Sequence, residues 1–416
     1  MAEARIGFLQ FKQQRLLLFA LLVLVAISSN QLNYQTDHEQ IVIGAGDILS
    51  YFAMSEAAPG LVTVPVPYHH AQRIFLPYLL GIVSDVTGLS IPMTYLVAGS
   101  LLLALAFWFF VRCCELLGMR EETVFIVSMA VLFNPYLFRH YFMFNGYIND
   151  IGFLAGLSAS LFGLFAGRRG IMLAGIVLAS LSRQTTLVIL PAYILLEYAL
   201  NYSRGWRINI FTLSYLTLPI LIYIGTSFIA SHTGLPSETD MALLGLLYWI
   251  RSDFSIGRFL DFTIRGVIPF AFAFALLLGC RVTVPRERDR LLVVAGLLAL
   301  IVPICAQPFL GGPDWTLNSI ARLNALAAFP VFLLVGMSID SYMNRLSPQI
   351  ASALGALIVL GSVHHIYTFP GAFSAEKNKW FAVVHFSAAF ATAVVLWIST
   401  RRDQERERAG SRLDAR

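Results

Sequence analysis

Apolar residues run along this chain in blocks of about twenty, close to the length of helix that crosses a ~30 Å hydrocarbon layer. The blocks lie near residues 15–32, 91–117, 121–138, 148–167, 208–231, 263–281, 289–309, 319–341, 349–369 and 380–400. The stretch 170–201 is apolar as well, but Arg183 stands at its middle. A single helix there would run about 48 Å and leave a guanidinium at mid-membrane. Two short helices meeting at Ser182-Arg183-Gln184 avoid both problems and keep the later basic loops on one side. The pattern predicts an all-α polytopic transmembrane protein of about 11–13 spans.

Two segments between the blocks read differently. Residues 33–90 contain Gly44-Ala45-Gly46-Asp47 and then Ile48–Ala58, which predicts a short interfacial helix. A bend at Pro59, Pro65 and Pro67 follows, and then His69–Val86, amphipathic at helical spacing and too short and polar to span. Residues 232–262 form a second amphipathic segment, with Tyr248 and Trp249 suited to a membrane interface. Residues 1–400 thus make one transmembrane domain with amphipathic helices on its outer face. Residues 401–416 form a charged tail, solvated or frayed, with a minor membrane-surface role open to it.

Composition agrees: 57% of the 416 residues are hydrophobic and 13% charged, against about 25% charged in soluble domains. The net charge of +5 does not mark a nucleic-acid partner, because the basic residues sit at block ends. Sorted by the positive-inside rule, Arg15, Arg112, Arg120, Arg168, Arg207 and Arg288 face the cytoplasm, among others. Arg73, Arg139, Arg183, Arg251, Arg258, Arg265, Lys377 and Lys379 face out, and Arg322 lies within a span. Both termini are then cytoplasmic, and the N-terminal block reads as an uncleaved first helix in a multi-pass cell inner (plasma) membrane protein. Cys113, Cys114, Cys280 and Cys305 have neither metal-ligand nor disulfide-framework spacing. Phosphate-loop, His-Glu-x-x-His and Gly-x-Ser-x-Gly motifs are missing, which leaves ATP-driven transport, zinc proteolysis and serine-hydrolase chemistry without support.

What remains is a set of polar residues at the outer ends of the blocks: Asp47, His69, His70, Arg73, Asp150, Arg183, Asp314 and Arg322. Each has a plain reading. Asp47 and Asp150 fit helix caps, the histidines fit interfacial polar residues, and Arg322 fits a structural pair with Asp314. Taken together, cations beside carboxylates at one face suit transfer of a sugar from a lipid phosphate. Arg and His would hold the phosphate as its charge develops, and a carboxylate would take the proton of the acceptor hydroxyl. Phosphate leaves readily, so a general acid of the glycosidase kind is not required. The lipid tail would lie against Ile74, Leu76, Leu79 and Leu80.

At these residues the chain resembles the GT-C class of membrane glycosyltransferases, which use polyprenyl-phosphate sugars. Gly46-Asp47-Ile48-Leu49-Ser50-Tyr51 resembles the first-loop Asp segment of that class, and Tyr68–Tyr78 a run that carries Arg-Ile-Leu-x-Pro in bacterial members. Leu181-Ser182-Arg183-Gln184-Thr185 is similar to their Leu-Ser-Arg-Glu-Thr hairpin tip, and Asp314 through Arg322 to Pro330 to a late Asp…Arg…Pro pattern. The resemblance implies Asp47 as catalytic base, with His69, His70, Arg73, Arg183 and Arg322 holding the lipid phosphate. It implies Asp150, Tyr51 and Asp314 around the sugar or acceptor, with no metal and no cofactor. The partners would be a polyprenyl-phosphate-linked sugar donor, the lipid bilayer, and a glycan, lipid or protein acceptor. The chain departs from the class in lacking a doubled acidic pair in the first loop and in carrying Gln184 where Glu is common. A flippase or transporter of a lipid-linked sugar or other anionic lipid, an O-antigen-polymerase-like enzyme and a non-catalytic scaffold are the alternatives. The first would use the same cations without a base.

Overall fold

The computed structural model describes residues 11–29, 46–202, 206–235, 244–280, 288–317, 319–343, 346–362 and 375–414. Residues 33–45 of the first outer segment and 236–243 of the second lie outside these, as do the side chains of Lys377 and Lys379 and of the tail from Arg402.

The chain is all-α and built for a membrane. From the N-terminal end the helices are α1 (Phe11–Ser29), α2 (Gly46–Ala57), α3 (Tyr68–Ala71), α4 (Phe75–Thr87), α5 (Ile91–Leu116), α6 (Glu121–Leu132) and α7 (Phe138–Met143). Then come α8 (Ile148–Phe165), α9 (Arg169–Ser182), α10 (Thr185–Asn201), α11 (Ile210–Thr233), α12 (Gly245–Ser252), α13 (Ile256–Val267) and α14 (Ala271–Gly279). The last are α15 (Arg288–Thr316), α16 (Ile320–Ala325), α17 (Ala328–Met343), α18 (Pro348–Gly361) and α19 (Ala375–Asp414). A two-residue parallel pairing of β1 (Val66–Pro67) with β2 (Gly234–Leu235) ties the first outer segment to the end of α11.

Among the described residues 6 helices are long and apolar enough to cross a membrane: α5, α8, α11, the run from α13 through α14, α15, and α19 over Ala382–Arg401. The shorter apolar helices, such as α9, α10 and α17, run about 20–26 Å at 1.5 Å per residue. Several blocks that read as single spans are broken. Pro135 follows a turn that separates α6 from α7, and α16 stands apart from α17, so Arg322 lies on a six-residue helix rather than inside a span. The backbone of α19 stays helical through Asp414, so the tail read as solvated or frayed continues the helix.

The break at Arg183 falls where the charge pattern puts it. Arg183 is extended (φ −151°, ψ 138°), which ends α9, and α10 begins at Thr185. The two helices part at once, α9 packing on α8 and α10 on α15. The α8–α9 approach is set by small residues. A Cβ on Gly156 would stand 2.5 Å from the Ala179 amide nitrogen, and one on Gly175 would stand 2.5 Å from that of Ser160. Close backbone contact of this kind is how helices associate where burial from water gives no drive. Gly156→Val should force the pair apart, at a cost of about 1–3 kcal/mol, read as a lower melting temperature in detergent. Melting like the wild type would mean the contact carries little.

The contacts give the bundle two distinct ends. At one, Gln14 Nε2 donates to the Glu121 carbonyl (2.6 Å), Arg15 pairs with Glu115 (2.6 Å), and Glu197 accepts from Tyr215 (2.7 Å). Arg112, Arg120, Arg168, Arg207 and Arg288 collect there. At the other, Thr185 meets Gln307 (2.7 Å), Asn134 Nδ2 donates to the Pro269 carbonyl (2.7 Å), and Asp150, Arg183 and Arg322 converge. Among the described residues the fold therefore groups these arginines as the positive-inside reading does, with Arg322 joining the second end. α8, enclosed almost throughout, is the central helix. α11 turns Ile220, Leu221, Ile224 and Phe228 outward, a surface suited to lipid.

Candidate functional site

A cavity of about 390 Å³ opens at the second end, between α2, α3, the α9–α10 break, α11, α15 and α16. Its polar wall carries Asp47, His69, Arg73, Arg183 and Arg322, and its neutral wall Thr185, Gln307, Thr316 and Ser319. Tyr223, Ile304, Leu323 and Leu326 form an apolar flank.

The charges are arranged in two tiers. Behind the wall, Asp150 on the first turn of α8 is buried and binds two guanidiniums at once. Arg183 donates to its Oδ1, and Arg322 Nη1 donates to its Oδ2 at 2.7 Å. Arg322 also reaches forward, with Nη2 3.1 Å from Asp47 Oδ2, and its guanidinium lies 3.8 Å over the Tyr147 ring. One arginine thus joins the early, middle and late parts of the chain. A buried cation so placed requires its anions.

Asp47 is the half-buried member that faces the cavity. Its second oxygen stands 3.2 Å from His70 Nε2, and His70 Nδ1 is 2.9 Å from Ser50 Oγ. Burial works to raise the Asp47 pKa. The His70 hydrogen bond and the Arg322, His70 and Arg73 charges outweigh it and hold the carboxyl well below the usual carboxylate range.

Arg73 is placed differently. Nε donates to Gln184 Oε1 (3.1 Å) and Nη1 to the Tyr51 hydroxyl (3.3 Å). Gln184 in turn donates to Gln72 (3.1 Å), and Gln72 to Ser227 on α11 (2.9 Å). Among the described residues no carboxylate lies within ion-pair distance of Arg73. Three guanidiniums therefore share two carboxylates, and the excess positive charge points into the cavity.

Asp47, His69, Arg73, Arg183 and Arg322 are brought together, as expected from the sequence, but other assignments change. His70 is buried beside Asp47 and is not part of the cavity wall, so it orients the carboxylate rather than holding an anion. His69 does face the cavity, yet burial, with the charges of His70 and Arg73, lowers its pKa to about 3, so its imidazole is neutral at physiological pH. Tyr51 and Asp150 lie behind the wall, 1% and 2% exposed, out of reach of a sugar or acceptor. Asp314 is turned away, pairing with Arg258 at 2.7 Å, and does not touch Arg322. Gly312 (φ 70°) bends the chain between the Gln307 wall and Asp314. Gln307 and Thr185 were missed. An amide just before Pro308 within an apolar block is the signal that could have found the first.

Arg139, another cation that the charge pattern sets on the outer side, does not line the cavity. It is buried, and Nη1 donates to the Ser362 carbonyl (2.9 Å) and hydroxyl (3.3 Å) at the end of α18. That is a cation at a helix C-terminus. Among the described residues no group of three His, Cys, Asp or Glu side chains could hold a metal ion. Comparison of the chain with protein-family models, with curated proteins and with solved structures finds no match.

Proposed function

We propose that this protein is a membrane glycosyltransferase that moves a sugar from a polyprenyl-phosphate carrier to an acceptor on the outer face of the plasma membrane. The observation that carries the reading is the cavity wall itself. It holds three guanidiniums, one of them without a carboxylate partner among the described residues, beside a single cavity-facing carboxylate at one end of a membrane bundle. The positive-inside rule puts the opposite, arginine-rich end in the cytoplasm.

Arg73 is the first anchor for the lipid phosphate, with Arg183 and Arg322 beside it. The Gln184-Thr185 start of α10 adds the positive end of a helix dipole. The apolar flank at Tyr223, Ile304, Leu323 and Leu326 gives the first isoprene units a surface. In the transfer, the acceptor hydroxyl oxygen bonds to the anomeric carbon. The bond from that carbon to the phosphate oxygen breaks, and the electron pair leaves on the phosphate. The hydroxyl proton passes to Asp47. Guanidiniums fixed around the phosphate stabilise the charge as it develops.

The test is sugar transfer in membranes supplied with a panel of radiolabelled polyprenyl-phosphate sugars, comparing wild type with Arg73→Gln. Loss of charged hydrogen bonds worth about 1.5–3 kcal/mol should raise the donor KM roughly 10- to 100-fold. His69→Gln, which removes no charge, should change it by less than about threefold. No transfer from any donor, with lipid movement between leaflets intact, would replace this reading by the flippase. Equal losses in the two variants would remove Arg73 as the anchor. Gln184→Glu gives a further check. A carboxylate at that position would pair with Arg73, and donor affinity should fall about tenfold (~1.4 kcal/mol). Unchanged affinity would show that Arg73 is not the open anion position.

A further inference from the structure

One side of the cavity wall carries no charge, and neither phosphate binding nor proton transfer makes use of it. It forms where α10 meets α15. Gln307 stands in the apolar α15 one residue before Pro308, and the Thr185 hydroxyl donates to its Oε1 (2.7 Å). That bond orients the amide. Its Nε2 carries two N–H groups and has no acceptor among the described residues. Pro308 supplies the complement. Lacking an amide hydrogen, it leaves the Ile304 carbonyl without its helical donor. Ile304 and Gln307 lie one turn apart on the cavity wall. The Thr316 hydroxyl, bonded to the Pro308 (2.8 Å) and Gly312 (2.9 Å) carbonyls, ties the bend at Gly312 to this side.

N–H donors beside a carbonyl acceptor are what a sugar hydroxyl requires, because it both accepts and donates. The charges narrow the choice of sugar further. Arg73, Arg183 and Arg322 stand against Asp47 and Asp150, three guanidiniums to two carboxylates. A phosphodiester carries a single negative charge and takes up that excess. His69 is neutral at physiological pH. An acidic sugar would then need a further cation, and an amino sugar a carboxylate not already held. Asp47 is held by Arg322 and His70. Among the described residues of the wall neither a further cation nor a free carboxylate is present, and a charge left unpaired there is costly.

We infer that the Thr185–Gln307 wall is the sugar subsite of the cavity, that it takes an uncharged sugar, and that Gln307 determines specificity by reading one of its hydroxyls. The inference rests on the transfer reading above. It gives the sugar a seat that Asp150, Tyr51 and Asp314 do not provide, two of them behind the wall and the third turned to Arg258. Thr185 is a positioning residue in this arrangement. Its hydroxyl holds Oε1, so the amide presents its nitrogen rather than its oxygen to the sugar.

The test uses the full chain in vesicles and polyprenyl phosphates carrying neutral hexoses, their monodeoxy analogues, a uronic acid or an amino sugar. The wild type should use a neutral donor with kcat/KM at least about 100-fold above the charged ones. Removing one particular hydroxyl should lower wild-type kcat/KM roughly 3- to 10-fold, the worth of a neutral hydrogen bond. Gln307→Leu should cost about the same with the complete sugar and nothing further with that one deoxy donor. If Gln307 only ties α15 to α10, its loss slows every donor alike and the two losses multiply, which overturns the assignment. Thr185→Val keeps the shape, and with it the test should the leucine variant fail to fold. It should weaken discrimination at the same hydroxyl, and unchanged discrimination counts against the subsite. Comparable use of an acidic or amino sugar by the wild type overturns the uncharged sugar. Absence of transfer from every donor would withdraw the transfer reading and this inference with it, whereas the other adverse results leave transfer standing.

Discussion

Asp150→Asn should damage the fold more than any other single change at the site, by roughly 3–5 kcal/mol. The carboxylate is buried and each of its oxygens faces a different guanidinium, Arg183 on Oδ1 and Arg322 on Oδ2, with the Tyr141 hydroxyl also donating to Oδ2 (3.4 Å). An amide of equal size keeps the volume and removes the charge that both cations face. Arg322 retains Asp47 as a partner, but Arg183 has no other carboxylate among the described residues. Adding Arg183→Met to Asp150→Asn should recover part of the loss, because the second change removes the stranded cation. The measurement is thermal unfolding of the purified protein in detergent, with the monodisperse fraction as a check. A single variant melting within about 1 kcal/mol of wild type would show that Asp150 is not the counterion that organises the site.

Asp47→Asn should leave the fold close to wild type and lower transfer about 10²- to 10⁴-fold, the range contributed by a positioned base. Asp47 is half-buried, and Arg322 keeps Asp150 when the charge is lost. On the proposed reading, a donor phosphate beside Arg322 would share that guanidinium with Asp47, which would make the carboxylate a better proton acceptor. The pH dependence has a defined sign. The carboxyl is depressed in the folded chain, so its contribution to stability is complete above its unfolded value near 4 and is lost as pH falls through the folded one. For the proposed transfer, kcat/KM should show no acid limb from Asp47 above about pH 4. Full transfer by the Asn variant would remove Asp47 as the base.

The sequence exposes the membrane class and the α9–α10 break for the same reason: uncompensated charge in hydrocarbon is expensive, so Arg183 near the middle of the largely apolar stretch 170–201 forces a turn. It also exposes the order of the cavity residues along the chain. Their partners are another matter, since those depend on which helices touch. Asp314 is eight residues from Arg322, and proximity in sequence favours their pairing. The bend at Gly312 and the turn before α16 send the two apart, and Asp150, 172 residues away, takes the arginine instead. Tyr51 reads as a ligand contact by its neighbours, yet its place on the inner side of α2 makes it a support for Arg73. His69 and His70 are adjacent, and only their packing tells them apart, one on the cavity wall and one beneath Asp47.

The α8–α9 hairpin has a consequence for how the protein is made. Asp150 and Arg183, at its two open ends, neutralise each other within a single pair of helices. As the chain leaves the ribosome, this hairpin can enter the bilayer as a unit whose open-end charges cancel, before any later segment exists. Arg322 emerges well after the hairpin, and its arrival links Asp47 to it. A nascent chain halted before Ser319 should therefore hold α8–α9 securely in the membrane while lacking the anion-binding cavity. Assembly of the cavity then follows integration of most of the bundle and becomes a late checkpoint of biogenesis.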